Sequence, residues 1–219
     1  MPTARPSPKP AKKPPAPRPY HHGDLRESLL DVAARWLDER GAATLTLREL
    51  AKAAGVSHAA PYHHFAGLDA LLAGVAERAF ARLADAMAAA AGAAPDAGAA
   101  MVAIAESYVR TALAHPAQFR LMFGPTLAAK DAHPGLKAQA ERAFGVLARA
   151  AEAYAPGEGL ELALSGWSLV HGLSHLLVDD AFSGLPLAAS EAAALRRLAP
   201  AALARRMGLR LLRPQDARR

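Results

Sequence analysis

Only one kind of regular structure is open to this chain. Its long runs are built from Ala, Leu, Glu and Arg, which favour helix, and nowhere does a β-branched run alternate with polar residues as a half-buried strand requires. The expected fold is therefore all-α, with helices cut apart by Gly, Pro and Asp. A first helix is expected over 25–40. Asp24 and Glu27 would open it as a capping box, and Leu25, Leu29, Val32, Ala33, Trp36 and Leu37 form its apolar stripe. Gly41 stops it, and Trp36 is expected at the centre of a small N-terminal core. Later helices are expected over 68–91, 97–115 (capped by Asp96), 116–123, 135–154, 158–180 and 190–207, with 124–135 as a loop. With two more between 45 and 65, the total is about nine. The alanine run before residue 91 reads as a thin helix that packs closely rather than as low complexity.

In a chain of 219 residues, 52% hydrophobic content is ample for burial, except at the start. Residues 1–20 are rich in proline, carry Arg5, Lys9, Lys12, Lys13 and Arg18, and lack any acid, so they read as a disordered basic arm. The arm has no apolar stretch of the kind a secretory signal needs. No later segment supplies the roughly 18 uninterrupted apolar residues of a membrane span, so a cytoplasmic protein with no membrane partner is expected. The absence of cysteine excludes disulfides, thiolate metal sites and thiol redox sensing. The net charge of +6 is concentrated in the arm and in Arg205, Arg206, Arg210, Arg213, Arg218 and Arg219. Such an arm either lies along phosphates or a minor groove, or serves as a solubilising tail.

The stretch 45–65, LTLRELAKAAGVSHAAPYHHF, reads as two short helices joined by a tight turn. Thr46 and Glu49 form a capping box bracketed by Leu45 and Leu50, Gly55 supplies a left-handed residue, Val56 fills the angle, and Ser57 caps the second helix. Spacings of three and four then put His58, Ala59, Tyr62 and His63 on one outer face. That pattern is a helix-turn-helix. Its face suits a DNA groove, although an ordinary helical hairpin with a polar surface satisfies the same spacing.

The stretch 25–72 resembles the N-terminal domain of the tetracycline-repressor (TetR) family of bacterial transcription regulators. The resemblance is carried by Gly41, Leu47, Leu50, Ala51, Ala54-Gly55-Val56-Ser57, Tyr62-His63-His64-Phe65 and Leu71-Leu72. Trp167-Ser168-Leu169-Val170-His171-Gly172 is similar to a Trp-x-x-x-His-Gly signature of one subgroup's C-terminal domain. The resemblance implies about nine helices, with a DNA-binding domain over 21–72, an effector-binding and dimerisation domain over 73–213, and a tail over 214–219. It also implies a homodimer on a double-stranded operator, a small-molecule effector, no cofactor and no enzymatic activity. The resemblance maps the family's groove contacts onto Arg48, Ser57, His58, Ala59, Tyr62, His63 and His64. Arg48 can clasp guanine or phosphate, Tyr62 and His64 can hold phosphates, and His58, Ala59 and His63 can meet base edges. Phe65 reads as core. The family pattern usually has an aliphatic residue where Pro61 stands, and often a phosphate-binding lysine where Leu68 stands.

Trp167, His171, Ser174, His175 and Val178 share one stripe of the helix expected over 158–180, with Gly172 beside it permitting close helix approach. Three readings compete for this stripe: a dimer seam with the helix at 190–207, which the resemblance implies, a polar-lined effector pocket, and a metal site of His171 and His175 with Asp179, for which a third firm ligand is lacking. Phe119, Met122 and Phe123 could line the pocket or simply be core. Two other functions fit parts of the pattern. One is a helical enzyme using His171, His175 and Asp179, for which no serine nucleophile or Gly-rich phosphate loop is evident; the other is a structural DNA-binding protein with no effector.

Overall fold

The structure, a computed structural model, describes residues 22–127 and 132–184. The basic arm of 1–20, the helix expected over 190–207 and the tail of 214–219 lie outside the described residues, and Asp24, expected to open the first helix, falls inside it because that helix already begins at His22. Among those described there are seven α-helices, joined by short 3-10 turns, and no strand. They are α1 (His22–Arg40), α2 (Leu47–Ala53), α3 (Leu68–Gly92), α4 (Ala97–Ala114), α5 (Pro116–Phe123), α6 (Pro134–Tyr154) and α7 (Gly159–Val178).

Most boundaries follow from local chemistry. Gly41, at φ 74°, ends α1 in the left-handed region. The Asp96 carboxylate accepts the Ala99 N–H at 2.7 Å and opens α4. Pro116 and Pro134 sit in the first turns of α5 and α6, where a missing N–H costs nothing. At α2 the Thr46 hydroxyl accepts the Glu49 N–H at 3.1 Å. The exit from α2 is a Schellman motif: Val56 N–H donates to the Ala51 carbonyl (3.0 Å) and Gly55 N–H to that of Lys52 (3.2 Å), around Gly55 at φ 69°.

The count of about nine helices is corrected in the segment between α2 and α3. The expected second helix of the 45–65 stretch is a 3-10 turn over Ala60–His63, and Ser57 does not cap it through its side chain. Pro61 is the cause. A helix capped at Ser57 would place its first i→i−4 bond between the N–H of residue 61 and the Ser57 carbonyl, and proline has no N–H. That carbonyl instead accepts Ala60 N–H at 3.0 Å, Ala59 accepts Tyr62 N–H at 3.2 Å, and Pro61 accepts His64 N–H at 3.0 Å, all with i→i−3 spacing. The Pro61 ring itself is buried.

Trp36 is also corrected. It is half-buried at the edge of the N-terminal core, its N–H donating to Thr44 Oγ1 at 3.2 Å and the Arg40 guanidinium lying 4.3 Å over its ring. The centre belongs to Leu29, Leu30, Ala33, Leu37 and Leu50, each at most 1% exposed.

The spine is α3, which packs on α1 near its start and most extensively on α6 and α4 along its length. Its alanines make that close packing feasible: Ala73, Ala76, Ala79 and Ala84 are all buried. One continuous apolar core runs from Leu25 through α3 to Leu173. The N-terminal helices are thereby tied to the C-terminal bundle through α3 and, on one side, through α5.

Candidate functional site

The short α2 and the turn after it form a surface built for contact. Leu47, Leu50 and Ala51 turn inward, so the intervening Arg48 and Lys52 face out, four residues apart on one side. Beyond Gly55, Ser57, His58, Ala59, Tyr62 and His63 are exposed, while His64 is half-buried and Phe65 is core at 3% exposure. Tyr62 is 61% exposed, unusual for an aromatic with nothing of its own chain to cover it. The segment 57–66 holds no acid, so the face offers cations, imidazoles and hydroxyls to an anionic partner. Leu68 packs against the core at the start of α3, where it offers a phosphate nothing.

The second feature is a cavity of about 350 Å³ in the C-terminal bundle, lined by residues of α3, α4, α5, α6 and α7 and partly open to solvent. Phe80, Tyr108, Phe123, Phe144 and Trp167 put aromatic rings on its wall, and Met87 and Met101 supply flexible side chains. Of the six residues singled out in the sequence for a pocket or seam, Phe123 and Trp167 line this cavity. Phe119 and Met122 are core, at 4% and 3% exposure. His171 stands behind the wall, its Nδ1 2.8 Å from the Tyr108 hydroxyl, which also accepts the Trp167 N–H at 3.3 Å. His175 packs on Phe119 and against His171, with ring centroids 5.0 and 4.6 Å away. Ser174 is fully buried and satisfied by the Val170 carbonyl at 2.7 Å. The stripe expected on this helix therefore faces the bundle, with Ser174 fully buried and Trp167, His171, His175 and Val178 half-buried.

Sequence reasoning missed Tyr108, the polar group at the cavity wall. Burial pushes its ionisation above the ordinary phenol range, against the smaller opposing effect of the Trp167 hydrogen bond, so it is a neutral hydroxyl. Its only signal was its place in the helical stripe of Met101, Ile104, Ala105, Tyr108 and Ala112, as the one aromatic of α4. Asp179, the third member of the metal and enzyme alternatives, is held by Arg120 at 2.8 Å and lies 3.9 Å from His175. Among the described residues, no three His, Asp or Glu side chains converge as metal ligands.

A third feature, also missed, joins the two parts. Gln118 on α5 is 3% exposed and donates to Asp38 Oδ2 of α1 at 2.6 Å, while its carbonyl oxygen accepts from Arg82 of α3. His115 Nδ1 lies 3.3 Å from the same Asp38 oxygen. Burial lowers the Arg82 pKa, helped by Arg78, and Asp38 and Asp31 offset part of this. Arg78 adds a second link at the outer edge, 2.5 Å from Asp31 of α1.

Comparison with known proteins agrees with this division. Residues 29–75 match bacterial regulatory proteins of the tetR family, and residues 101–201 match the tetracyclin repressor-like C-terminal domain. The chain is 32% identical to a protein of unknown function from Rhodococcus sp. RHA1, with 90% of this chain and 97% of that one covered and a TM-score of 0.73. Two more distant likenesses concern the fold alone. One is to a TetR family transcription regulator from Marinobacter aquaeolei VT8, at 15% identity over 86% of this chain and 95% of that one, TM-score 0.58. The other is to the fatty acid degradation regulator FadR from Bacillus halodurans, at 14% identity over 88% and 97%, TM-score 0.64. No curated protein matches the chain in sequence.

Proposed function

The chain belongs to the TetR family of DNA-binding transcriptional regulators, and from that premise we propose that it is a homodimeric repressor released from its operator by a small molecule held in the C-terminal cavity. Regulators of this family bind DNA operators, typically as dimers with small-molecule effectors, and are generally not enzymes. In this reading 21–72 is the reading head and 73–213 the effector and dimerisation domain. Arg48, Ser57, His58, Ala59, Tyr62, His63 and His64 supply the DNA contacts, which the exposure of all but the half-buried His64 and the absence of acid over 57–66 support.

Dimerisation is supported by the outer face of α7. Leu160 and Leu176 are 63% and 46% exposed, with Ser168 and Gly172 exposed between them along a strip that winds around the helix by about 40° per four residues, while Leu164, 46% exposed, sits at the rim of the cavity. Among the described residues a Cβ on Gly172 would meet nothing within 4 Å, so a second helix can approach there. Among the described residues no helix is long and apolar enough to cross a membrane, so this strip is not read as a span.

One observation carries effector release. In the single short helix α5, Phe123 lines the cavity while Gln118 holds Asp38 of the DNA-binding part. A ligand that displaces Phe123 would move α5 and with it α1. The shift it can cause equals its preference for the displaced state, and operator must weaken ligand binding by the same factor. The test is to footprint the DNA flanking the gene, then measure binding of the recovered site with and without candidate effectors. Equal affinity for operator and random DNA would end the repressor reading.

A further inference from the structure

We propose that the C-terminal cavity takes an uncharged, ring-bearing hydrocarbon molecule with one hydroxyl group, and that Tyr108 is the side chain that reads this hydroxyl. The proposal rests on the reading of the cavity as the effector site and names the chemistry of its occupant.

Charge is excluded by the lining. Apart from Tyr108, no residue on the cavity wall is ionisable. Three arginines of the surrounding helices are committed elsewhere: Arg82 to Gln118, Arg142 to Asp85, and Arg120 to Asp179. A carboxylate or ammonium seated against this wall, rather than at the open mouth, would lose its water and gain no counter-charge. Tyr108 cannot supply one, since its burial keeps the hydroxyl protonated.

Rings are favoured by the arrangement of the wall. Phe80 and Phe123 meet edge to face at 5.3 Å, Phe144 and Trp167 at 6.0 Å, and the two pairs adjoin through Phe123 and Trp167 at 6.5 Å. An aromatic or polycyclic guest meets both ring edges and ring faces there, and Met87 and Met101 can adjust to its outline. A volume of about 350 Å³ is at the lower end of the range for drug-sized ligands.

The hydroxyl follows from counting the capacity of Tyr108. A phenol has one donor and two acceptor positions. The Trp167 N–H can only donate, so it fills one acceptor position. If the phenol donates to His171 Nδ1, one acceptor position is left for the ligand; if His171 donates from Nδ1, the phenol proton is left. A ligand hydroxyl satisfies either state, whereas a carbonyl or ether satisfies only the second. Trp167 and His171 thus act as positioning residues that hold the Tyr108 oxygen.

The experiment is calorimetric titration of the full chain with three probes of one shape: biphenyl, 4-phenylphenol and biphenyl-4-carboxylate. 4-Phenylphenol is expected to bind about tenfold more tightly than biphenyl, with the carboxylate weakest. Tyr108→Phe should remove the advantage of 4-phenylphenol over biphenyl while leaving biphenyl unchanged. Ala105→Leu, which fills the cavity from α4, should abolish all binding with thermal unfolding still cooperative. The proposal is overturned if the carboxylate binds as well as the phenol, if biphenyl equals the phenol, if no probe binds, or if binding survives Ala105→Leu. Operator release measured in parallel separates the two readings. Selective binding of the phenol without release would remove the effector role and leave the ligand class standing; tighter binding and release by the carboxylate would do the reverse.

Discussion

Gly55 shows how much one residue can fix. Its φ of 69° closes the Schellman turn, and a Cβ there would meet nothing within 4 Å, so replacing it exposes the cost of the backbone alone. Gly55→Ala should lower stability by roughly 1–2 kcal/mol. Gly67, extended at φ −179° and equally open, should accept alanine at almost no cost. Urea unfolding of both variants checks the pair, and equal losses would contradict the argument. Arg48 and Tyr62 call for the opposite readout, because each is exposed and supports nothing in the core. Arg48→Ala and Tyr62→Phe should weaken operator binding, the first by about 1–3 kcal/mol if it pairs with a base. Melting temperatures should stay where they are; a lowered melting temperature with unaltered DNA affinity would move both residues from the groove to the fold.

At the scale of elements, two short pieces matter most. The 3-10 turn over Ala60–His63 presents Tyr62 and His63 in a tighter geometry than an α-helix would. Pro61→Ala restores the N–H that can reach the Ser57 carbonyl, so helicity should rise and the preferred operator sequence should change. Random-site selection with both proteins tests this, and identical preferences would mean that the turn does not set the presentation. The other piece is α5. Gln118→Ala deprives Asp38 and Arg82 of a buried partner, which should cost about 1–3 kcal/mol. It should also leave ligand affinity intact while reducing operator release, since the cavity wall and the grip on α1 lie on different residues of the helix. Full release by ligand in this variant would show that the signal travels through α3 alone.

At the scale of the whole molecule, one reading head meets too few base pairs to specify a site, and two-fold protein symmetry maps onto a partly palindromic operator. Leu176→Asp places a charge on the exposed strip of α7 without touching the cavity wall. Sedimentation at micromolar concentration should show monomers with unchanged helicity and much weaker operator binding. A dimer that survives would put the seam elsewhere.

Sequence by itself determined whatever depends on bonds within one turn of chain. The Thr46 and Asp96 caps, the Gly41 and Gly55 stops and the proline starts of α5 and α6 are interactions over three to five residues, so they are written in sequence order. The helix-turn-helix motif was legible for the same reason, with its outward face, and Pro61 was visible as a departure, although the replacement of a whole helix by a 3-10 turn was not drawn from it. Periodicity also put Trp167, His171 and Ser174 on one stripe, but a stripe does not say what it faces. Only the tertiary structure turned that stripe toward α4 and α5, where Tyr108 bonds to His171 across 63 residues. Only packing moved Trp36 to the rim, because Leu29, Leu30 and Leu50 fill the centre first. The Asp38–Gln118 bond spans 80 residues, and no local rule marks either end. The cavity belongs wholly to the tertiary level, since an empty space is defined by side chains from five helices that the sequence keeps far apart.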